Sequence, residues 1–179
     1  MKVVAIIPIK KKSERVRSKN FRKINNIELY KIICEKVKKS DFDEVYIDTD
    51  SKKVKEYAIK NNFNIINRLD YLSKNDANGN DLLNYHLKII KSDLYFQTHS
   101  TNPLLTTQTI DSAISFFIKK NPHDSLLSVN KYKSRFYNHK GIPINHSPDE
   151  LIKTQDLDPV IEENFSNYLF SDYWYLLQT

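Results

Sequence analysis

Apolar positions along this chain follow two periods that take turns. Val3-Val4-Ala5-Ile6-Ile7, closed by Pro8, is an unbroken apolar run and predicts a buried strand over 3–8. A helix is expected near 29–39, then a short β-rich run, Glu44-Val45-Tyr46-Ile47. Ser51 stands as the N-cap of a helix that puts Val54, Tyr57 and Ala58 on one face. Phe63–Ile66 predicts a strand, and Leu82, Leu83, Leu87 and Ile90 form a helical stripe. Leu94-Tyr95-Phe96 predicts the next strand. Ile110, Ala113, Ile114, Phe117 and Ile118 keep helical spacing, and Ser125–Val129 is a fifth strand. This alternation predicts one α/β domain, a three-layer αβα sandwich around a mostly parallel sheet of about six or seven strands. Ligands of such sheets bind at the carboxyl ends of the strands. The alternation stops at Asn130. Residues 130–163 are polar, hold Pro143, Pro148 and Pro159, and show no clear period. A stretch that long is expected to be a lid, a substrate loop or a dimerisation arm. Asn167–Phe170 then resumes the apolar pattern, followed by the aromatic Tyr173-Trp174-Tyr175.

Charge sharpens the picture. The chain of 179 residues carries a net +6. Residues 1–40 hold 13 Lys+Arg against 3 Asp+Glu, and the rest hold 15 against 19. The excess is therefore local. Lys10, Lys11, Lys12, Arg15, Arg17, Lys19, Arg22 and Lys23 crowd the stretch directly behind the first strand. A buried strand that empties into a cationic loop and then a helix is a common way to hold phosphate. The competing reading is a solvated Lys-rich face. With only Gly79 and Gly141 in the chain, anion contact must rely on side chains more than on tight glycine loops.

Other chemistry is excluded or weak. Cys34 is the single cysteine, so no internal disulfide forms, and its apolar neighbours predict a buried structural thiol. No P-loop, dinucleotide fingerprint, zinc spacing or nucleophile elbow occurs. No signal peptide precedes Val3 and no apolar run could span a bilayer, so a cytoplasmic protein without membrane contact is expected. Asp48-Thr49-Asp50 could bind a metal at a strand end. The favoured expectation is that Asp50 orients a loop and Asp48 is solvated.

Six segments in a fixed order carry a resemblance. Ile7-Pro8-Ile9-Lys10-Lys11-Lys12-Ser13-Glu14-Arg15-Val16-Arg17-Ser18-Lys19-Asn20 is similar to the opening motif of the acylneuraminate cytidylyltransferase family, roughly I-P-A-R-G-G-S-K-R-I-P-R-K-N. Asp50-Ser51 resembles its S-T-D-S, and Arg68 with Asp76-Ala77-Asn78-Gly79-Asn80 resembles its R-P…D-T-A-S-S region. Asp93–Leu105 is similar to D-Y-V-V-L-L-Q-P-T-S-P-L-R, and Asp124–Val129 to D-S-V-V-S-V. Lys153-Thr154-Gln155-Asp156-Leu157 with Glu163-Asn164 resembles R-Q-x-L…E-N-G.

The resemblance implies a Rossmann-like nucleotide-diphospho-sugar transferase fold. It implies transfer of CMP from CTP to a 2-keto sugar acid such as sialic acid, with release of pyrophosphate and help from magnesium, by a homodimer. It implies catalytic roles for Lys10 and Lys19. It implies nucleotide contacts from Lys10, Ser13, Arg15, Lys19, Asn20, Arg68, Ala77, Asn78 and Gly79. Sugar-acid contacts would come from His99, Thr101, Lys153, Gln155 and Asn164. Each residue also has a plain structural reading: a solvent-facing basic turn, an ordinary Asn-Gly turn, a structural histidine, a loop tethered by polar contacts.

The motif is not reproduced everywhere. Lys11-Lys12 replace paired glycines, Glu14 replaces a lysine, and the family's closing acidic segment, which holds magnesium, has no counterpart after Phe170. No protein ligand for magnesium is therefore identified. A second reading is a truncated or degenerate homologue that binds nucleotide or a partner without turnover. A third is RNA binding through the basic N-terminus. That one lacks aromatics at a stacking spacing.

Overall fold

The computed structural model describes residues 1–13, 15–74, 77–119 and 123–171. In chain order the elements are β1 (Val3–Pro8), β2 (Lys23–Ile24), β3 (Ile27–Glu28), α1 (Leu29–Lys38), β4 (Glu44–Thr49) and α2 (Lys52–Lys60). There follow β5 (Asn64–Asn67), α3 (Gly79–Ile89), β6 (Leu94–Gln97), α4 (Thr107–Lys119), β7 (Ser125–Tyr132) and β8 (Val160–Ser171).

β1 is apolar at every position because the sheet continues on both sides of it and helices cover both faces. It pairs in parallel with β4 and with β6, and β4 pairs in parallel with β5. Within this sheet β6 pairs with β8 antiparallel. The sheet order is β5-β4-β1-β6-β8-β7. Alternate residues of β1 enter different cores. Val3, Ala5 and Ile7 pack with Ile33, Cys34 and Val37 of α1, Val54 and Ala58 of α2, and Ile110 and Ile114 of α4. Val4 and Ile6 pack on the opposite face with Leu87 and Ile90 at α3, and with Tyr95 and Phe170. Three layers result, and Cys34 is buried as expected, with its thiol pKa pushed up by burial.

Two local features differ from the sequence reading. The basic stretch does not run straight into α1. A two-residue hairpin, β2–β3, intervenes, turning on Asn25 and Asn26 with φ of 49° and 65°. Paired left-handed residues are what a type I′ turn needs, and asparagine tolerates them. Ser51 does occupy the N-cap of α2, but its side chain makes no capping bond.

Met1–Leu126, together with the segment that starts at Ser166, is one compact unit, and Leu127–Phe165 is a second. In the second unit β8 starts at Val160, well before the expected Asn167. None of its residues from 160 to 166 is buried, so no apolar alternation marked them. Polar side chains organise this unit instead. Asn145 Nδ2 donates to the carbonyls of Ser134 and Asp158, each at 2.8 Å. Gly141, at φ 76°, supplies a turn that Asn138 Oδ1 closes by accepting from the Lys140 and Ile142 amides.

Candidate functional site

The chain leaves β1 toward β4 and β5, then returns to place β6 on the other side of β1. Loops leaving β1 and β6 therefore diverge and open a crevice at the carboxyl ends of the strands. The β1 loop is held there without glycine. Asp50 Oδ1 accepts the Lys11 amide at 2.6 Å, and Asn20 Nδ2 donates to the Lys10 carbonyl at 2.7 Å. Ser100, just past β6, donates from Oγ to Asn20 Oδ1, which ties the two loops together. Thr49 Oγ1 donates to the Ile9 carbonyl at 2.7 Å from beneath. Ser18, at φ 52°, turns the loop into a single 3-10 turn, Lys19–Phe21.

The crevice encloses about 620 Å³, within the usual range for a small-molecule site. Lys10, Lys12, Arg15, Lys19, Arg68 and Lys74 line it, with no carboxylate among the described lining residues. Ser13, Asn20, His99 and Ser100 add polar groups, and Pro8, Val16, Ala77 and Leu82 add apolar surface. Lys10 Nζ donates to the Lys74 carbonyl at 3.2 Å. Burial, then the charge of Arg15, lowers the pKa of Lys19 below the ordinary lysine value. His99 is pulled down to about 4 by burial first, then by the charges of Lys19 and Arg68. It is a neutral imidazole at pH 7.

Behind the crevice wall sits a buried charge cluster. Arg68 Nε lies 3.1 Å from both oxygens of Asp48, and Arg68 Nη2 donates to Oδ2 at 2.6 Å. His86 Nε2 donates to the same Oδ2 at 3.0 Å. The Asp48 and His86 side chains are fully buried, and that of Arg68 is 4% exposed. Burial alone would raise the Asp48 pKa, but hydrogen bonds from His86 and Arg68 and their charges hold it below the usual carboxylate value. The expectation that Asp48 is solvated is thus overturned. β4 delivers it under the crevice floor, where two partners replace water. Asp50, in contrast, does anchor the loop.

The crevice gathers Lys10, Ser13, Arg15, Lys19, Asn20, Arg68, Ala77 and His99 from the sequence-derived set. Asn78, Gly79 and Thr101 do not line it. Asn78 is the N-cap of α3 in a reciprocal capping box with Asp81, so its side chain is already engaged. Gly79 is the first residue of that helix, with open space where a Cβ would stand. Lys153, Gln155 and Asn164 belong to the second unit, where Ser128 donates to Asn164 Oδ1 and Asn164 Nδ2 donates to Asn130. Glu14 and the chain after Ser171 lie outside the described residues.

Sequence reasoning missed Lys74, Ser100 and the Asp48–His86 pair, and it placed Lys12 in the cationic stretch without assigning it a contact. His86 did leave a signal. It falls four residues after Leu82 and beside Leu87, a titratable group on an apolar helix face.

The cytidylyltransferase family model matches residues 4–179. The chain belongs to the cytidylyltransferase family. No curated protein matches it by sequence. Among solved structures it is similar to a CMP:2-keto-3-deoxy-manno-octonic acid synthetase complexed with CTP, at 14% identity and TM-score 0.69, covering 96% of this chain and 74% of that one. It is similar to a cytidylyltransferase from Leptospira borgpetersenii, at 18% identity and TM-score 0.62, covering 99% of this chain and 63% of that one. A third is the 4-diphosphocytidyl-2C-methyl-D-erythritol synthase of Anaerococcus prevotii, at 15% identity and TM-score 0.64, covering 99% of this chain and 77% of that one. The shared fold is the Rossmann-like nucleotide-diphospho-sugar transferase fold.

Magnesium finds no cage among the described residues of this family member. No three His, Cys, Asp or Glu side chains converge. Asp48 is engaged by Arg68 and His86, and Asp50 by the Lys11 amide. Nor is any helix among the described residues long and apolar enough to cross a membrane.

Proposed function

We propose that the crevice binds CTP and that the protein transfers CMP to a 2-keto sugar acid of the sialic acid class, releasing pyrophosphate. The observation that carries this reading is the crevice lining itself. Five cations, Lys10, Lys12, Arg15, Lys19 and Lys74, share one cavity at the switch point and make no ion pair with another described residue. Packing like charges together is unfavourable until a polyanion arrives, so the site is built for one.

The anomeric hydroxyl of the sugar acid attacks the α-phosphorus of CTP, and the bond to the β-phosphate oxygen breaks as pyrophosphate leaves. Such a reaction asks the protein chiefly to align the groups and to neutralise charge that shifts onto the leaving phosphates. Lys10 and Lys19 serve the triphosphate, with Ser13 and Arg15 beside them. Asn20 acts through the loop, because both of its amide atoms are committed to Lys10 and Ser100. No step is routed through magnesium, since the described residues do not hold it. The family resemblance assigns the acceptor's carboxylate and hydroxyls to Lys153, Gln155 and Asn164, which belong to the second unit, and a homodimer to the assembly.

Pyrophosphate release from CTP and a panel of keto sugar acids tests this reading. Turnover with one member and no release from CTP alone is the expected result. CTP-induced thermal stabilisation without release on any acceptor would favour the non-catalytic binder.

A further inference from the structure

Arg68 differs from the other five crevice cations because its charge is cancelled from behind. Nε and Nη2 are committed to Asp48, and Nη1 has no protein partner among the described residues. Arg68 nevertheless lines the crevice. The guanidinium cannot swing, because one edge is bound in two places to a buried carboxylate. Asp48 in turn cannot swing, because His86 of α3 donates to its Oδ2. Near this fork stands His99, an uncharged imidazole, and the same crevice includes apolar Ala77 and Leu82. A charge-cancelled, fixed donor beside neutral and apolar groups suits an uncharged ligand part better than a phosphate.

We propose that Asp48 and His86 are positioning residues that fix Arg68 as a donor to the uncharged base and ribose of the ligand, leaving the phosphates to the lysines. This rests on the nucleotide reading of the crevice. It assigns discrimination, rather than bulk affinity, to a carboxylate that never meets the ligand.

The test compares dissociation constants for CTP and for inorganic tripolyphosphate, titrated calorimetrically at one salt concentration. The wild type should prefer CTP. In Asp48→Asn, Arg68 regains an uncancelled charge and loses its anchor. Tripolyphosphate should bind as well or better, while the preference for CTP falls about tenfold, as the loss of one charge-assisted hydrogen bond predicts. Arg68→Lys keeps a cation against Asp48 but has no second nitrogen arm. It should show the same loss of preference, and it serves if Asp48→Asn fails to fold. Lys10→Ala should do the opposite, weakening both ligands while keeping their ratio. An unchanged ratio in folded Asp48→Asn or Arg68→Lys overturns the proposal, as does a wild type that binds the two ligands equally. A wild type that binds neither removes the nucleotide reading as well.

Discussion

Asp48→Asn offers the most exacting test of how the crevice is supported. The carboxylate is fully buried and takes contacts from Arg68 Nε, Arg68 Nη2 and His86 Nε2. Summing those at the strength of charged hydrogen bonds would overstate their worth, because water reclaims the freed groups on unfolding. The better guide is the cost of stranding one buried ion after its partner is removed, about 3–5 kcal/mol. Against a total stability of about 5–15 kcal/mol the variant should still fold, with its melting midpoint lowered by about 10 °C. Urea unfolding at pH 7 measures this directly, since a shifted midpoint with an unchanged slope reports stability alone. Acid supplies the second arm. The Asp48 pKa is depressed in the folded state, so its contribution is present above the unfolded value, near about 4, and lost as pH falls below it. The gap between wild type and variant should therefore be flat above about pH 5 and shrink below about pH 4. Asp48→Leu combined with Arg68→Met removes both charges and should recover most of the loss, because stranding rather than bond loss carries the cost. A variant within about 1 kcal/mol of wild type at pH 7, or a gap indifferent to acid, would refute the reasoning.

Lys10→Ala and Lys19→Ala should each weaken CTP binding about tenfold, less steeply at high salt, and unchanged affinity in both would sink the phosphate assignment. His99 stays neutral down to about 4, while the unfolded chain takes up the proton near about 6.5. Stability should therefore fall as pH drops through that window, by at most about 1.4 kcal/mol per unit, and His99→Gln should flatten that slope in urea titrations. CTP binding should survive a chelator, because protein cations line the crevice, and affinity lost on chelation would show that these side chains alone do not hold the triphosphate.

Much of the fold was legible because burial on both faces leaves a plain mark. Val3–Ile7 could only be an interior strand, and α2, α3 and α4 each showed an apolar face. The basic loop was equally plain, since eight cations in one stretch need no structure to be seen. What stayed hidden was whatever depended on distant partners. Asp48 reads as a surface residue until β5 brings Arg68 and α3 brings His86 against it. The start of β8 was invisible because a strand with no buried residue on either face has no apolar period. Asn78 shows the reverse case. Its Asn-Gly pair reads as a turn, yet Asp81 three residues on makes it a helix cap.

The missing glycines bear on how the loop can work. A glycine-rich loop meets phosphate with its own backbone N–H groups, and needs the absent Cβ to come close. Here the Lys11 amide already donates to Asp50, so it is not free for a ligand. The Lys10 carbonyl is held by Asn20, and Asn20 by Ser100. Side-chain bonds thus do the shaping that glycine would otherwise do, and they consume the backbone groups in doing so. Lys12, standing where a glycine would, then lines the crevice with an ammonium group. A long flexible cation reaches an anion across a wider gap than an amide does, but it is hydrated and screened. Binding through this loop should accordingly depend on salt more steeply than binding through a glycine-rich one.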